Sequence, residues 1–276
     1  MGTEGASKRS VDYAPAMTVY VDLIRYRELF GNLFRRDLQA KYKGSALGIV
    51  WALVPPLVLM GVYLLVFHVL WRANIPHYAL YLLAGLASWI FFAATIQAGS
   101  RAMLDNAPLI RKTRFPRQLV AFSVVGTNLI TYVVMLVILI ALCFAFIPGS
   151  RTTGWLSLPL AVLFVGFVTG IALMLASLNV LFRDVEHLVA AALLPWFFLT
   201  PILWDRSQFP GHDRILNVLH WGNPLAPPIQ AIRDPLWGGR VPRAADVIYL
   251  VVATGLALAV GAWTFNRVDD RIAVEL

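Results

Sequence analysis

Long apolar runs separated by short polar connectors make up most of the chain. Five of these runs are long enough, or nearly so, to cross a bilayer as helices: 48–70, 78–100, 118–147, 155–182 and 247–265. A sixth run, 188–204, is shorter and contains Pro195 and Pro201. A bilayer core about 30 Å thick needs about 20 apolar residues in a helix. The pattern therefore predicts an all-α polytopic membrane protein with six transmembrane helices.

Composition agrees with this pattern. The chain is 59% hydrophobic and 14% charged, with a mean hydropathy of +0.71, whereas soluble domains are about half apolar and a quarter charged. Because membrane spans account for most of the residues, we expect one domain over 47–276. The first 46 residues contain no continuous apolar core, so we expect no cleavable signal peptide. The single cysteine, Cys143, excludes an intrachain disulfide.

The distribution of basic residues predicts which side of the membrane each loop occupies. The N-terminal segment holds eight Lys and Arg residues, the 101–117 connector five, the 183–187 connector one and the tail two. The two short loops on the other side hold one each, and the long 205–246 loop holds five. Short loops govern the positive-inside rule, so both termini are expected in the cytoplasm. The net charge of +8 is then mainly topological, and we expect no nucleic-acid partner.

Residues 19–46 precede the first span and form a separate predicted element, after a tail (1–18) that we expect to be disordered. Tyr26, Leu29, Phe30, Leu33 and Phe34 recur at helical spacing and make one apolar stripe, with arginines on other faces. A basic amphipathic helix in this position is expected to lie in the cytoplasmic membrane interface. The alternative is that the stripe packs against a partner protein.

The loop after the broken span is too apolar to be fully hydrated and too rich in proline to span the membrane. We expect short re-entrant helices over about 206–240 that enter the outer leaflet. Asn223 is the predicted N-cap of one of them, with Pro224 in its first turn.

Several kinds of chemistry are missing from the sequence. Within the six predicted spans the only acidic, basic or histidine side chain is His68, near the end of the first span. Ion-driven carriers normally keep ionisable groups inside the membrane, so ion coupling is not expected. None of the four lysines follows a glycine, which excludes a Walker A motif. We therefore expect no enzyme activity and no cofactor bound by this chain, with ATP and Mg²⁺ held by a separate subunit if transport is ATP-driven.

One cluster of polar residues lies at the cytoplasmic corner between the fourth and fifth predicted spans. It contains Arg183, Asp184, Glu186 and His187. Metal binding is conceivable there, but the ligands are few. Polar side chains at a tight corner more often cap helix ends and pair with one another, and we expect no metal.

Four stretches of the sequence resemble permeases of ABC-2 type transporters that export polysaccharides, a family that includes the O-antigen, teichoic acid and capsule exporters. They are "RRDLQAKYKGSALGIVWALVPPL" from Arg35, "LIRKTRFPRQL" from Leu109, "NVLFRDVEHL" from Asn179, and "TPILW" from Thr200 followed by "NPL" at Asn223 and by Arg233. The resemblance covers nearly the whole chain from about residue 20.

The resemblance implies a homodimeric six-helix permease in the bacterial cytoplasmic membrane. It also implies two copies of a separate ABC ATPase subunit and a lipid-linked glycan as substrate. The interface helix would carry the first motif's polar residues, which are Arg35, Arg36, Asp37, Lys41 and Tyr42. The connector at 108–117 would hold the coupling helix, bounded by Pro108 and Pro116, and the residues that contact the ATPase would be Leu109, Ile110, Arg111, Lys112, Phe115, Pro116 and Arg117.

The translocation path is predicted to follow the two proline-containing spans at the dimer seam. Pro55 and Pro56 should kink or loosen the first span because each removes a backbone amide donor. Aromatic faces suit the apolar faces of sugar rings, although membrane-interface belts use the same residue types. The predicted path residues are Trp51, Pro55, Pro56, Tyr63, Phe67, Trp89, Phe92, Trp196 and Phe198.

Other functions remain open at the level of sequence. An ABC-2 permease could export a smaller lipid or a drug. A membrane-embedded glycosyltransferase or acyltransferase would need a carboxylate cluster beside a span, which only Asp184 and Glu186 remotely offer. A passive channel would conduct without ATP.

Overall fold

Four helices are long and apolar enough to cross a membrane, namely Tyr78–Asp105, Gln118–Phe146, Ser150–Leu181 and Ala244–Asp269. They were identified in a computed structural model of the chain. The structure describes residues 18–43, 53–70, 75–113 and 115–275. The expected disordered tail, Trp51, and the side chains of Tyr42 and His68 lie outside this description. Within the described ranges there is no strand, so the all-α class is confirmed.

Twelve α-helices are found along the described parts of the chain. In order they are α1 (Thr18–Arg25), α2 (Arg27–Tyr42), α3 (Val54–Tyr63), α4 (Tyr78–Asp105), α5 (Ala107–Lys112), α6 (Gln118–Phe146), α7 (Ser150–Thr153), α8 (Ser157–Leu181), α9 (Val185–Leu199), α10 (Asp213–Gly222), α11 (Ala226–Leu236) and α12 (Ala244–Glu275). A π-helical segment, Leu64–Leu70, continues α3, and a short 3₁₀ turn joins α7 to α8.

The two proline-containing spans are shorter than the other four. Helix α9 has 15 residues with Pro195 inside it, and α3 has 10. Pro55 and Pro56 lie in the first turn of α3, where an amide has no helical acceptor to lose. They therefore lie at the start of the described helix, and the expectation that they kink or loosen the first span stays a prediction. Residues 48–52 of the predicted first span are not described, so a count of six spans stays a prediction.

Helix α4 is the central element of the bundle. Helices α6, α8, α9 and α11 all pack against it, and nearly all side chains in its first half are buried. One apolar cluster surrounds Tyr81, Phe92 and Phe164. A second surrounds Met103, Leu119 and Leu173 at the opposite end of the same helices. The bundle is thus filled along its length.

The connectors separate into two ends of the bundle, as the alternation of spans requires. At one end the Trp237 indole donates to the Pro76 carbonyl at 2.8 Å, and the Thr153 hydroxyl donates to the Pro235 carbonyl at 2.9 Å. This end is called the outer end below, following the predicted orientation.

At the other end, here called the inner end, the N-terminal helices, the basic connector and the last turns of α12 meet. Arg36 donates to the Asn106 side chain at 2.6 Å, Arg101 lies 3.3 Å from Glu186, and Arg117 lies 2.9 Å from Asp269. The segments richest in cations therefore share one end.

The outer end contains two short helices, α10 and α11, where re-entrant helices were predicted. The second begins at Ala226, with Pro227 and Pro228 in its first turn, so the prediction that Asn223 is its N-cap was wrong. The Asn223 carboxamide accepts instead from the Leu225 amide at 3.0 Å and from the Trp196 indole at 2.8 Å. This residue therefore ties the outer helices to α9. Their entry into the outer leaflet stays a prediction.

Candidate functional site

A groove of about 450 Å³ runs between α3, α4 and α9. Helix α4 supplies its floor, because this helix is the one that both short helices pack against. Among the described residues, no aspartate, glutamate, lysine, arginine or histidine lines it. The lining residues are Leu59, Tyr63, Leu86, Trp89, Ile90, Ala93, Ala94, Gln97, Ala190, Leu193, Leu194 and Phe197.

Aromatic side chains from the three helices meet along this groove. Phe197 is at their centre, with its ring centroid 5.7 Å from that of Tyr63 and 5.3 Å from that of Trp89. The Trp89 ring continues to Phe92 at 5.8 Å, and Phe92 to Trp196 at 5.2 Å. These separations are those of attractive aromatic pairs. The cluster therefore fixes the two short helices against α4.

The predicted path residues fall into three groups. Tyr63 and Trp89 line the groove itself. Phe67, Phe92, Trp196 and Phe198 belong to the same chain of ring contacts without lining it, since Phe67 pairs with Tyr63 at 6.4 Å and Phe198 with Phe197 at 5.4 Å. Pro55 and Pro56 begin α3 away from the lining, and Trp51 is not described.

Ten of the twelve lining residues were not among the predicted path residues, and two of these, Phe197 and Gln97, are informative. Phe197 is only 5% exposed, although it lies in a run that is apolar on every side, so periodicity gives no signal for it. Gln97 is the one carboxamide in the groove, and its position in an otherwise apolar span is a signal that the sequence offered. The groove can accordingly hold an apolar or amphipathic molecule by contact, and the part of its lining that the structure describes offers no carboxylate, lysine, arginine or histidine for proton transfer.

The basic connector contains α5, which is shorter than predicted. Helix α5 begins at Ala107, with Pro108 in its first turn, and ends at Lys112 because Thr113 is extended. The predicted helix over 108–117 was therefore too long, and Phe115, Pro116 and Arg117 follow it rather than belong to it. The six residues of α5 make less than two full turns.

The apolar residues of the connector point into the protein. Ile110 is 8% exposed and belongs to the inner-end apolar cluster, and Leu109 and Phe115 pack against that cluster. Arg111 and Lys112 are exposed. The expectation that Ile110 is a free apolar contact for a partner was wrong, because its side chain is used by the fold. The exposed surface of α5 is cationic.

Arg117 joins the connector to the last turns of α12. Its guanidinium contacts both the backbone carbonyl and the carboxylate of Asp269. The neighbouring Gln118 donates to Asp22 of α1 at 2.8 Å. The connector is therefore held from two directions, by the N-terminal helices and by the last helix.

The apolar stripe of the predicted interface helix packs against the chain itself. Leu33 is buried in the inner-end cluster, and Phe30 and Phe34 lie over Gly126 of α6. A break at Tyr26 divides the predicted element 19–46 into α1 and α2, and Tyr26 itself is exposed. The stripe thus covers α6, a contact that neither sequence-based alternative included. Its position in the membrane interface stays a prediction.

The polar residues of α2 form specific contacts with the same helix. The Asp37 carboxylate accepts from the Ser123 hydroxyl at 2.6 Å, and the Lys41 ammonium donates to Asn128 at 3.0 Å. Desolvation against α6 lowers the pKa of Lys41. Arg35 remains exposed, so the first motif combines residues that fix α2 with a cation that stays free for other contacts.

The corner between α8 and α9 uses only part of the predicted cluster, together with residues outside it. The side chain of Asp184, at the N-terminus of α9, makes no capping hydrogen bond, and Arg183 is exposed. The Asn179 carboxamide accepts from the Glu186 amide at 3.0 Å. Glu186 pairs with Arg101 at 3.3 Å and approaches His187 at 3.7 Å. Among the described residues no group of three or more His, Cys, Asp or Glu side chains is placed to hold a metal ion.

These features define a helical membrane protein with an apolar aromatic groove and a cationic inner connector. The sequence profile of the ABC-2 type transporter family matches residues 28–237, about three quarters of the chain. The chain belongs to this family.

Individual relatives extend the similarity beyond the profile. An O-antigen export system permease protein of Myxococcus xanthus is 34% identical over 92% of this chain and 98% of its own length. One of Klebsiella pneumoniae is 31% identical over 89% of this chain and 94% of its own. A polysialic acid transport protein of Escherichia coli is 22% identical over 87% of this chain and 93% of its own.

Proposed function

We propose that this chain is the permease half of an ATP-driven exporter that moves a lipid-linked polysaccharide from the cytoplasm to the cell exterior. The observation that carries the proposal is the end-to-end similarity to O-antigen export permeases. The groove is compatible with it, because aromatic faces contact apolar faces of sugars and acyl or prenyl chains alike. Such a permease needs no proton relay of its own.

The energy for transport would come from two copies of a separate ATPase bound at the inner end of a homodimer. The exposed cations of α5 are the surface that we assign to this contact. ATP binding on the partner would favour one permease conformation over another through differential contacts. Purified alone, this chain should not hydrolyse ATP, whereas the co-expressed complex should.

The proposed orientation is six spans with both termini in the cytoplasm of a bacterial cell. Reporter fusions after residues 46, 112 and 276 should report cytoplasm, and fusions near 75, 152 and 222 the exterior. A reporter exposed outside at residue 112 would reverse the assignment, because that connector carries five cations.

Docking of the ATPase can be tested without disturbing the fold. Replacing Arg111 and Lys112 with glutamate changes only exposed side chains, and like charges across an interface weaken association. The ATPase should no longer co-purify. Lys43→Glu, also exposed and outside the connector, is the control. Serine at Ile110 is a poor test, because loss of a buried isoleucine costs about 2–5 kcal/mol of stability.

Filling the groove tests the transport path. Ala93→Trp places an indole in the lining, whereas Ala141→Trp adds the same group to an exposed position on α6. Export of the lipid-linked glycan in proteoliposomes should stop in the first variant, with ATPase binding retained, and continue in the second. Unimpaired export by Ala93→Trp would contradict the groove as path. Movement of the glycan without ATP would indicate a passive channel. Transport of a small lipid but not of the lipid-linked glycan would indicate an ABC-2 exporter of smaller molecules.

A further inference from the structure

A second cavity, separate from the aromatic groove, lies at the outer end of the bundle. Its volume is about 230 Å³, and its walls come from the turn after α9, from α10, from α11 and from the segment that enters α12. Three of its lining side chains are arginines, Arg206, Arg240 and Arg243, and its one carboxylate is Asp205. The cavity therefore brings three guanidinium groups together at a place to which the predicted path gives no role.

The one carboxylate in the lining does not neutralise these arginines. Asp205 accepts from the backbone amide of Ser207 at 2.9 Å and from its hydroxyl at 2.6 Å. The Asp205 amide in turn donates to the Gln208 carboxamide at 3.1 Å. These contacts form a capping box around a 3₁₀ turn. Asp205 is thus committed to its own turn.

Two of the arginines are held by residues behind or beside the cavity. Arg206 donates one hydrogen bond to Asp213 at 2.7 Å and one to Asn217 at 2.8 Å. Arg240 donates two to the fully buried Asp234, at 2.7 and 3.1 Å. A guanidinium has five N–H donors, so three remain on each arginine. Groups oriented in this way lose less freedom when they bind a ligand.

The third arginine is unpaired. The guanidinium of Arg243 forms no hydrogen bond or ion pair with any residue in the described ranges. A lone cation beside two anchored ones leaves the cavity with more donors than its own acceptors can use. The chemistry that matches such a set is an oxyanion.

The number of arginines favours phosphate over carboxylate. A carboxylate has two oxygens, and one bidentate arginine can satisfy both. A phosphoryl group offers more acceptor oxygens and, as a monoester, more charge. Three guanidiniums match the larger group. The Gln230 carboxamide also lines the cavity and keeps one N–H donor besides the one that it gives to Asp234 at 2.8 Å.

The surroundings of the cavity favour a phosphate that is attached to a lipid. Helix α10, which contributes Leu216 and His220 to the lining, exposes Ile215, Val218 and Trp221. Exposed apolar groups and a tryptophan at the outer end of a membrane bundle are typical of the headgroup region. A soluble anion would have no use for this apolar margin.

We propose that this cavity binds the phosphate of a membrane lipid at the outer surface, with Arg206, Arg240 and Arg243 as its ligands. The assignment to the outer surface rests on the proposed function and its orientation. The phosphate has two possible sources, the headgroup of a bilayer phospholipid and the phosphate of the lipid that carries the exported glycan. Both present the same chemistry to the three arginines.

The variant that tests this is Arg206→Gln with Arg243→Gln in the purified full-length chain. Arg243 has no ion pair to lose, and the partner of Arg206, Asp213, is solvent-exposed, so folding should be little affected. Arg240 is left unchanged because its removal would leave the buried Asp234 without its cation. Arg214→Gln is the matched control, since Arg214 lies on α10 and is exposed but does not line the cavity.

Lipid retention is measured by native mass spectrometry after addition of a polyprenyl phosphate or of phosphatidylglycerol. Wild type and Arg214→Gln should retain a phosphate-bearing lipid. The double variant should bind about 100-fold more weakly, since a hydrogen bond to a charged group contributes about a factor of ten or more. Equal retention by the double variant, or equal loss in Arg214→Gln, would overturn the proposal. Binding of glucuronate, a sugar carboxylate, without binding of either lipid would also overturn it.

Competition between the two lipids identifies the source. Displacement of phosphatidylglycerol by the polyprenyl phosphate at equal concentration supports the carrier lipid, and the reverse result supports the bilayer phospholipid. The measurement uses no ATPase and no glycan. A negative result therefore leaves the proposed export function standing, and a failure of export in proteoliposomes leaves the lipid measurement intact.

Discussion

Replacing Gly170 with alanine should separate α8 from α12 and destabilise the whole bundle. A Cβ at this position would lie 2.3 Å from the carbonyl carbon of Ala257, 2.4 Å from its oxygen and 2.5 Å from the Leu258 nitrogen. All three are backbone atoms, which cannot rotate away. Gly261 faces the same point from α12, with the Gly170 oxygen 2.3 Å from where its own Cβ would be. Small residues let membrane helices approach this closely.

The size of the effect follows from these distances. Ordinary van der Waals contact begins at 3.4 Å, so the two helices must move apart by about 1 Å around Gly170. A gap of 0.5–1 Å forfeits about a quarter to a half of the dispersion energy between facing atoms. Overpacking a tight interior lowers stability by about 1–3 kcal/mol. Because the facing atoms at Gly170 are backbone atoms that cannot move aside, we expect Gly170→Ala to lower stability by about 3 kcal/mol.

Gly166→Ala on the same helix is the matched control. Its Cβ would meet the Thr254 methyl at 3.0 Å and the Leu258 side chain at 3.7 Å, both of which can adjust. Alanine also has a higher helix propensity than glycine, by up to about 1 kcal/mol, so this change should be nearly neutral. The assay measures the thermal unfolding midpoint of each purified variant in the same detergent, using fluorescence-detected size-exclusion chromatography. Equal midpoints for the two variants would refute the close approach of α8 and α12.

Three further outcomes test other parts of the structure. Burial raises the pKa of Tyr20 to about 12, and its phenol donates a hydrogen bond to the Leu258 carbonyl at 2.7 Å. Because the phenol of the unfolded chain ionises near pH 10, α1 should become easier to proteolyse as the pH rises from 10 to 12. The Tyr20→Phe variant should not show this pH dependence. Arg117→Gln should lower stability by less than about 1 kcal/mol, because its pair with Asp269 is partly solvated, while amide exchange near the end of α12 should rise measurably. Cys143 is fully buried and should react with a maleimide only after denaturation, so labelling of the native protein would contradict its placement.

The long helices could be predicted from the sequence, whereas the bounds and contacts of the shortest helices could not. Runs of about 20 apolar residues can satisfy their backbone in a membrane only as helices, and four of the five long runs form helices of spanning length in the described parts of the chain. The connector could not be predicted in the same way, because Ile110 is buried only through contacts with helices that are distant in sequence. No local pattern distinguishes an apolar residue that folds back from one that faces a partner.

The groove was predictable in chemistry but not in detail. Tyr63 and Trp89 were predicted because aromatic faces suit the apolar faces of sugar rings, and both line it. Phe197 was missed since α9 is apolar on every side, so that burial leaves no periodic signal. Its position becomes visible only when α3 and α9 are both placed against α4.

The buried Arg233 at the outer end depends on partners far away in sequence. The Arg233 guanidinium lies 3.9 Å from the centre of the Tyr81 ring and donates to the Pro201 carbonyl at 2.8 Å. In the sequence it stands in a proline-rich loop where an exposed arginine is the ordinary expectation. A cation–π contact and a carbonyl acceptor make its burial possible, and both come from segments outside its own loop.

One helix joins the two regions to which functions are assigned here. Helix α12 has 32 residues, which corresponds to about 48 Å at 1.5 Å per residue. Near its inner end Asp269 contacts Arg117 of the connector, and near its outer end the buried Asp246 lies 2.7 Å from His220, which lines the arginine cavity. Between these points the helix is in backbone contact with α8 at Gly170 and Gly261. Because packed interiors do not deform continuously, α8 and α12 should move as one body. A displacement of the connector by a bound ATPase would then reach the outer cavity as a shift of this pair.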